Sequence, residues 1–398
     1  MPNSPVAADD DAARLARNAV DILPDRALAA KLAEARAAAR PLRVKLGIDP
    51  TSADIHLGHT VVLSKLREFQ DLGHRVVLII GDYTARVGDP SGRSSTRPIL
   101  SDDEIEANAA TYQDQAFRIL DPDPERLEVR RNGEWLDMSM TDLLGLVRTT
   151  TVAQLLERDD FAKRMAANQP ISMLELLYPL MQGYDSVQVD ADVELGGTDQ
   201  KFNLLLAREI QRAYGKPEQA VLTMPILVGT DGRQKMSKSL GNHIGVTEPP
   251  EEVYGKTMSV PDEALADYYR LLLGEELPAL APRDAKRQLA RALVTRLHGA
   301  PAAADAELRF DRVFVDHGVP DEIEEAVVEC RDGAVHLPAV MSAAFGMSRS
   351  EARRLIDQGG VTLEQTPLGA GEHDVPCERA DGAILRVGRR RFRRLRAS

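Results

Sequence analysis

Four glycine-punctuated apolar runs, "RVKLGID", "RVVLIIGD", "SVQVDADVEL" and "AVLTMPILVG", recur between residues 40 and 245, separated by stretches with helical apolar spacing. Nothing else in the chain constrains the fold as much. Parallel strands are covered on both faces and need a helical crossover between them, so the expected class is α/β, with a Rossmann-like parallel sheet. A helical insertion is expected near residues 100–170, and an N-terminal helical segment ahead of the first strand. Downstream the period changes. From Pro249 the stretches "EALADYYRLLLGEEL" and "DAKRQLARALVTRLHG" are helical throughout, with prolines at the joints, and from about residue 335 the composition turns basic. Three domains are expected: a Rossmann-like α/β domain over 1–245, an all-helical one over 246–334, and a small α+β domain over 335–398.

The net charge of −12 over 398 residues argues against a protein coated with nucleic acid along its length. The charge is uneven, however. His336 to Ser398 hold eleven arginines and no lysine against seven acidic residues, which points to a polyanion partner at that end. The two cysteines, Cys330 and Cys377, lack C-x-x-C spacing, so a cysteine zinc site is excluded and a reducing compartment is expected. The segment "MPNSPVAADDDAARLARNAV" has no apolar core and no stretch reaches membrane-spanning length, so a cytoplasmic protein is expected.

In "IDPTSADIHLGH", His56 and His59 stand three residues apart where a helix begins, with Asp54 a fair N-cap. They could be ordinary polar residues of a helix start. A metal pair is disfavoured, because the nearest acid on that helix, Glu68, lies three turns away and a zinc site needs a third ligand. The order strand, turn at Gly47 and Pro50, helix is that of a nucleotide-binding unit, whose helix N-terminus attracts phosphate; Gly58 in the first turn keeps the approach open. Two neutral imidazoles would add N–H donors there. The segment does not match the common P-loop pattern.

A second signal lies in "DGRQKMSKSLGN". The chain has ten lysines against forty arginines, yet Lys235 and Lys238 fall three apart among Gly232, Ser237, Ser239 and Gly241. A solvated basic loop would look the same; beside a histidine pair in one α/β region, lysines on a mobile loop are better read as closing over phosphates. In "LLYPLMQGYDS", Tyr178, Gln182 and Asp185 recur at i, i+4 and i+7, putting three polar groups on one face of an otherwise apolar helix that Pro179 is expected to kink. Buried polar groups need partners.

"HLGH" followed far downstream by "KMSKS" resembles the two signatures of class I aminoacyl-tRNA synthetases, with Leu57 where isoleucine is usual. "GDPSGR", "LLYPLMQGYDS" and "GGTDQKFN" are similar to tyrosyl-tRNA synthetases in particular, and the resemblance covers nearly the whole chain. It implies activation of L-tyrosine by ATP with Mg2+, transfer to tRNA, and a homodimer. It also implies roles. Gly47, Asp49, Thr51, His56, Gly58, His59, Gly197, Asp199, Met236 and Lys238 would bind ATP, while Asp89, Tyr178, Gln182, Asp185 and Gln200 would bind tyrosine. His56, His59, Lys235 and Lys238, with Arg93 and Arg97 on a second mobile loop, would stabilise the departing pyrophosphate; no metal-ligand set is expected. Lys45 stands where many members carry a second tyrosine near the phenol, either donating to Asp185 or turned elsewhere. "MSRSEARRLIDQGG" and "RVGRRRFRRLR" resemble a small RNA-binding fold first named from a ribosomal protein, which would set Arg349, Arg353 and Arg354, behind Ser348, and Arg389, Arg390 and Arg391 against tRNA. A tryptophanyl enzyme and a catalytically inactive RNA-binding homologue are the alternatives.

Overall fold

The computed structural model describes residues 5–51, 54–91, 101–314, 323–331, 333–388 and 391–397. They form two compact units, Met1–Gly299 and Ala300–Ser398. The first is built on six strands: β1 (Asp21–Leu23), β2 (Arg43–Ile48), β3 (Arg75–Ile80), β4 (Leu127–Arg131), β5 (Val193–Gly197) and β6 (Ala220–Met224). Their order is β1-β6-β5-β2-β3-β4. All neighbours are parallel except β1, which runs antiparallel to β6. Chain order reverses between β2 and β5, and in open sheets of this kind ligands bind in the crevice beyond the carboxyl ends at that reversal.

Each expected apolar run supplies a strand, but the stretch near 100–170 is not wholly helical. It contains β4, "LEVRR", an edge strand whose residues after Leu127 are only half covered, so its sequence has no need of a continuous apolar run. The rest of the stretch is helical, including Asp102–Ala116, Met140–Val147 and Asp159–Ala166. The helix Met173–Gln188 runs continuously across Pro179. It packs on the helix Lys201–Ala213, and Gly183 makes the approach possible: a Cβ there would lie 2.5 Å from Ile210 Cδ1 and 3.2 Å from the Ala207 backbone. Beyond the sheet, the helices Pro250–Met258 and Pro282–His298 each open with proline in the first turn, where no amide donor is needed. Tyr254, Tyr268 and Tyr269 are fully buried, and Tyr269 donates its hydroxyl to the Ala285 carbonyl at 2.7 Å.

The second unit begins with the helix Ala300–Phe314. Its strands are β7 (Glu325–Val328), β8 (Ala334–His336), β9 (Val361–Leu363), β10 (Thr366–Pro367), β11 (Asp374–Pro376), β12 (Ile384–Val387) and β13 (Arg391–Ala397). Five form a sheet in the order β10-β9-β12-β13-β7, and β8 pairs with β11. The helices Leu337–Phe345 and Arg349–Asp357 cover a core that includes Met341, Ile356, Leu363, Leu385 and Leu395. Cys330 and Cys377, from which a reducing compartment was expected, are joined as a disulfide. The β8–β11 pairing brings them together, and the Cys377 N–H donates to the Gly333 carbonyl at 3.1 Å. Their separation in sequence carried no sign of it. Among the described residues no helix is long and apolar enough to cross a membrane.

Candidate active site

The two lysine- and histidine-bearing segments meet at the carboxyl ends of the parallel strands. Leu57 N–H donates to the Ile244 carbonyl and Val246 N–H to the Ile55 carbonyl, both at 2.9 Å, so the chain after the lysine loop is laddered to the start of the histidine helix. That helix, Leu57–Asp71, has His56 as its N-cap, two residues later than the expected Asp54. The His56 amide donates to His59 Nδ1 at 3.3 Å, and the two rings stack with centroids 3.9 Å apart. Burial, reinforced for His56 by His59 and His243, lowers the imidazoles to about 2 and about 4, so both are neutral donors near pH 7. His56 Nδ1 is buried without a protein partner. Gly58 is required beneath it, since a Cβ would lie 3.0 Å from the His56 ring.

The lysine loop is tied down at both ends by Asn242. Its side chain accepts from Ser237 N–H at 2.8 Å and donates to the Lys235 carbonyl and to Asp231, while its carbonyl accepts from Thr230 N–H. Met236 is buried. Lys235 reaches Asp199 at 3.2 Å and Lys238 reaches Asp54 at 2.5 Å, and all four side chains retain exposure. Gly197 lets Asp199 fold back over the end of β5, where a Cβ would stand 2.7 Å from its carboxylate. Gly47, at the end of β2, has open space where its Cβ would point, and Thr51 N–H closes the next turn onto the Asp49 carbonyl at 2.8 Å.

The polar face of the Met173–Gln188 helix reaches Asp49 just after β2, Glu194 on β5 and Asn203 on the helix that follows it. Tyr178 donates to Asp49 Oδ2 at 2.9 Å, and Thr84 donates to Asp49 Oδ1 at 2.7 Å. Asn203 donates to the Gln182 and Gln200 side-chain oxygens at 2.9 and 3.1 Å, and Gln200 donates to Asp89 at 2.7 Å. Asp185 is at the enclosed end, 3% exposed. Burial raises its carboxyl to about 7, against the opposing pull of the Lys45 charge and of donation from Trp135 and Asn132. The predicted residues thus fall into two hydrogen-bonded groups, one holding Tyr178 and Asp49 and the other Gln182, Gln200 and Asp89. Arg93 and Arg97 lie outside the described residues.

A family model described as tRNA synthetases class I (W and Y) matches residues 37–315. A tyrosine–tRNA ligase of Moorella thermoacetica is 51% identical across 96% of this chain and 94% of its own, and one of Thermotoga maritima is 49% identical across 96% of each. This chain belongs to the tyrosyl-tRNA synthetase family. Among solved structures, a C-terminally truncated mitochondrial tyrosyl-tRNA synthetase of Aspergillus nidulans has a TM-score of 0.61 at 22% identity, covering 77% of this chain and 94% of its own. A tyrosyl-tRNA synthetase of Archaeoglobus fulgidus complexed with L-tyrosine has a TM-score of 0.59 at 24% identity, covering 74% and 99%. At these identities the likeness establishes the fold.

Several residues of this synthetase site escape sequence reasoning. Trp135, the one tryptophan in the chain, donates its indole N–H to Asp185 Oδ1 at 2.8 Å, with Asn132 3.5 Å from Oδ2. Arg158, buried, donates to Asn203 and to Ser91, whose amide caps Asp89. Gly81 is needed because a Cβ would strike Asp49 Oδ1 at 2.1 Å. The only sequence signal was a lone tryptophan after a strand. Lys45 is resolved: it donates to Gln182 O, Ser186 Oγ and Glu194, and makes no hydrogen bond to Asp185. In the second unit Arg349, Arg353 and Arg354 are exposed on one helix that Ser348 caps, accepting from Glu351 N–H, and exposed Arg391 opens β13. Arg389 and Arg390 lie outside the described residues.

Proposed function

We propose that this synthetase site joins tyrosine to tRNA in two steps at the crevice between β2 and β5. As a member of its family the chain is a tyrosine–tRNA ligase. In the first step the tyrosine carboxylate attacks the α-phosphorus of ATP and pyrophosphate leaves. No general acid or base is required, so the protein's task is alignment and stabilisation of charge on the departing oxygens. His56 and His59 donate as neutral imidazoles. Lys235 and Lys238 exchange their carboxylate partners, Asp199 and Asp54, for phosphate oxygens. Arg93 and Arg97 join from the other side, Mg2+ enters bound to ATP, and Gly47, Asp49, Thr51, Gly58, Gly197, Asp199 and Met236 shape the nucleotide pocket. In the second step a terminal ribose hydroxyl of tRNA attacks the adenylate carbonyl and AMP leaves.

Tyrosine is selected by the polar helix. Tyr178, Gln182, Gln200 and Asp89 hold its ammonium and carboxylate, and Asp185 accepts the phenol O–H inside an apolar enclosure, so a phenyl ring leaves a buried acceptor unpaired. The helices between Pro250 and Phe314 and the 335–398 domain meet tRNA, with Arg349, Arg353, Arg354, Arg389, Arg390 and Arg391 on its phosphates. A cytoplasmic homodimer completes the reading, supported by exposed Met140, Leu144, Met165 and Met173 around the insertion.

The observation that carries the reading is the backbone ladder joining the histidine helix to the lysine loop above a buried Asp185. Pyrophosphate exchange into ATP, measured with and without tyrosine, tests it. Exchange that ignores tyrosine, or prefers tryptophan, would sink it.

A further inference from the structure

Beneath the tyrosine pocket lies an ion pair with no access to water. Lys45 Nζ on β2 is 2.8 Å from Glu194 Oε1 on the neighbouring β5, with side-chain exposures of 0% and 1%. Buried pairs of this kind are poor stabilisers, because desolvating both charges offsets their attraction, and apolar replacements of equal volume do as well or better. Stability therefore does not account for it. Its contacts do. Lys45 Nζ also donates to Gln182 O at 2.7 Å and Ser186 Oγ at 2.8 Å, which bracket the helical turn containing Asp185. Glu194 accepts from the Gln182 side chain at 3.3 Å, from Ser186 Oγ at 3.1 Å and from Gln219.

We propose that Lys45 and Glu194 form a positioning pair that sets tyrosine specificity, Lys45 fixing the Asp185 turn and acting as its counter-charge while Glu194 fixes the Gln182 amide. In place of a second hydroxyl beside the phenol, this chain uses a buried cation behind the acceptor. The Lys45 charge favours the ionised form of Asp185 and the Glu194 charge opposes it. The other groups facing Asp185 are the neutral donors Trp135 and Asn132 from the segment after β4. The proposal rests on Asp185 being the phenol acceptor, so its test must separate the two ideas.

The full chain is compared with Lys45→Met, Glu194→Gln, the double variant, and Asp185→Ala as a reference. The tyrosine and ATP KM values for pyrophosphate exchange are measured from pH 6 to 9, with phenylalanine as competitor. Lys45→Met moves the half-point of tyrosine binding to higher pH and raises the tyrosine KM at pH 7 roughly tenfold, with the ATP KM unchanged within about twofold. Glu194→Gln, which keeps an oxygen acceptor for Lys45, moves the half-point to lower pH. The double variant shifts upward, by less than Lys45→Met. Should Lys45→Met fail to fold, the downward shift in Glu194→Gln and the upward shift in the double variant decide the matter. Half-points that coincide with the unsubstituted chain, or tyrosine and ATP KM values rising together, would make the pair merely structural. If Asp185→Ala, which removes the acceptor, keeps full discrimination against phenylalanine, the acceptor assignment itself fails; if it loses discrimination while the half-points of the pair variants stay put, only the pair proposal falls.

Discussion

The two ends of the site are made differently. At the proposed phenol end Asp185 is enclosed, and Trp135, Asn132 and a buried cation are already set around it. At the proposed phosphate end Lys235 and Lys238 are partly exposed and paired with Asp199 and Asp54, which are themselves partly exposed. A group that must tell one side chain from another gains from having every neighbour fixed beforehand, since a wrong substrate then leaves a buried group unpaired. A group that must follow charge as it moves onto a leaving oxygen gains from weak, exchangeable partners. On the proposed reading, specificity and rate fall to separate physical regimes within one crevice.

The sharpest way to break that division is to remove a moving cation. Lys238→Ala is expected to slow adenylate formation by roughly a hundredfold to a thousandfold, the usual cost of losing one charge-stabilising donor, while tyrosine affinity stays within about twofold. Single-turnover kinetics with equilibrium binding separates the two, and parallel losses would show that the ends are not independent. Trp135→Phe acts at the other end. Loss of a hydrogen bond to a charged group costs about 1.5–3 kcal/mol, so the tyrosine KM should rise roughly tenfold or more with the ATP KM unmoved. A rise confined to ATP would reverse the assignment.

The pH response should differ as well. A carboxylate accepts from a phenol more strongly than a carboxylic acid does, and burial has raised Asp185, the proposed acceptor, to about 7, so tyrosine affinity should weaken as pH drops below that value. His56 and His59, lowered to about 2 and about 4, stay neutral from pH 5 to 8, and binding of ATP should lack any histidine step in that range. Titration calorimetry with each substrate checks both halves. The smallest effect belongs to the second unit. Replacing Arg349, Arg353 and Arg354 by alanine should flatten the slope of log tRNA affinity against log salt by roughly 0.7 to 0.9 per lost phosphate contact, with pyrophosphate exchange unaltered. An unchanged slope would remove that helix from the RNA-binding surface.

What was legible in the sequence follows the same division. The central strands announce themselves because β3 is buried along nearly its whole length and must be apolar throughout. β1, three residues long, and β4, an edge, carry no such demand and are silent in the sequence. His56, Lys235 and Lys238 stand out because their residue types and spacing are unusual among helix and loop neighbours. Glu194 does not. In "DVEL" it reads as an ordinary solvent-facing strand residue, and its burial depends on Lys45, supplied by another strand far away in the chain. The same holds for Trp135 and Arg158, whose partners are fixed by topology that no local pattern encodes.

One pairing in the second unit bears on how that unit comes into being. β13 is not an edge but lies between β12 and β7, and Arg394 is registered against Glu325. The strand that opens the sheet in sequence therefore has no neighbour until the strand that closes it has been made, and all of the intervening helices must be held in the meantime. Contacts of such sequence separation are slow to form, so this small unit should fold more slowly than its length alone implies. A chain ended after Arg331 leaves β7 with no partner strand, and a chain lacking 391–397 loses two strand pairings at once.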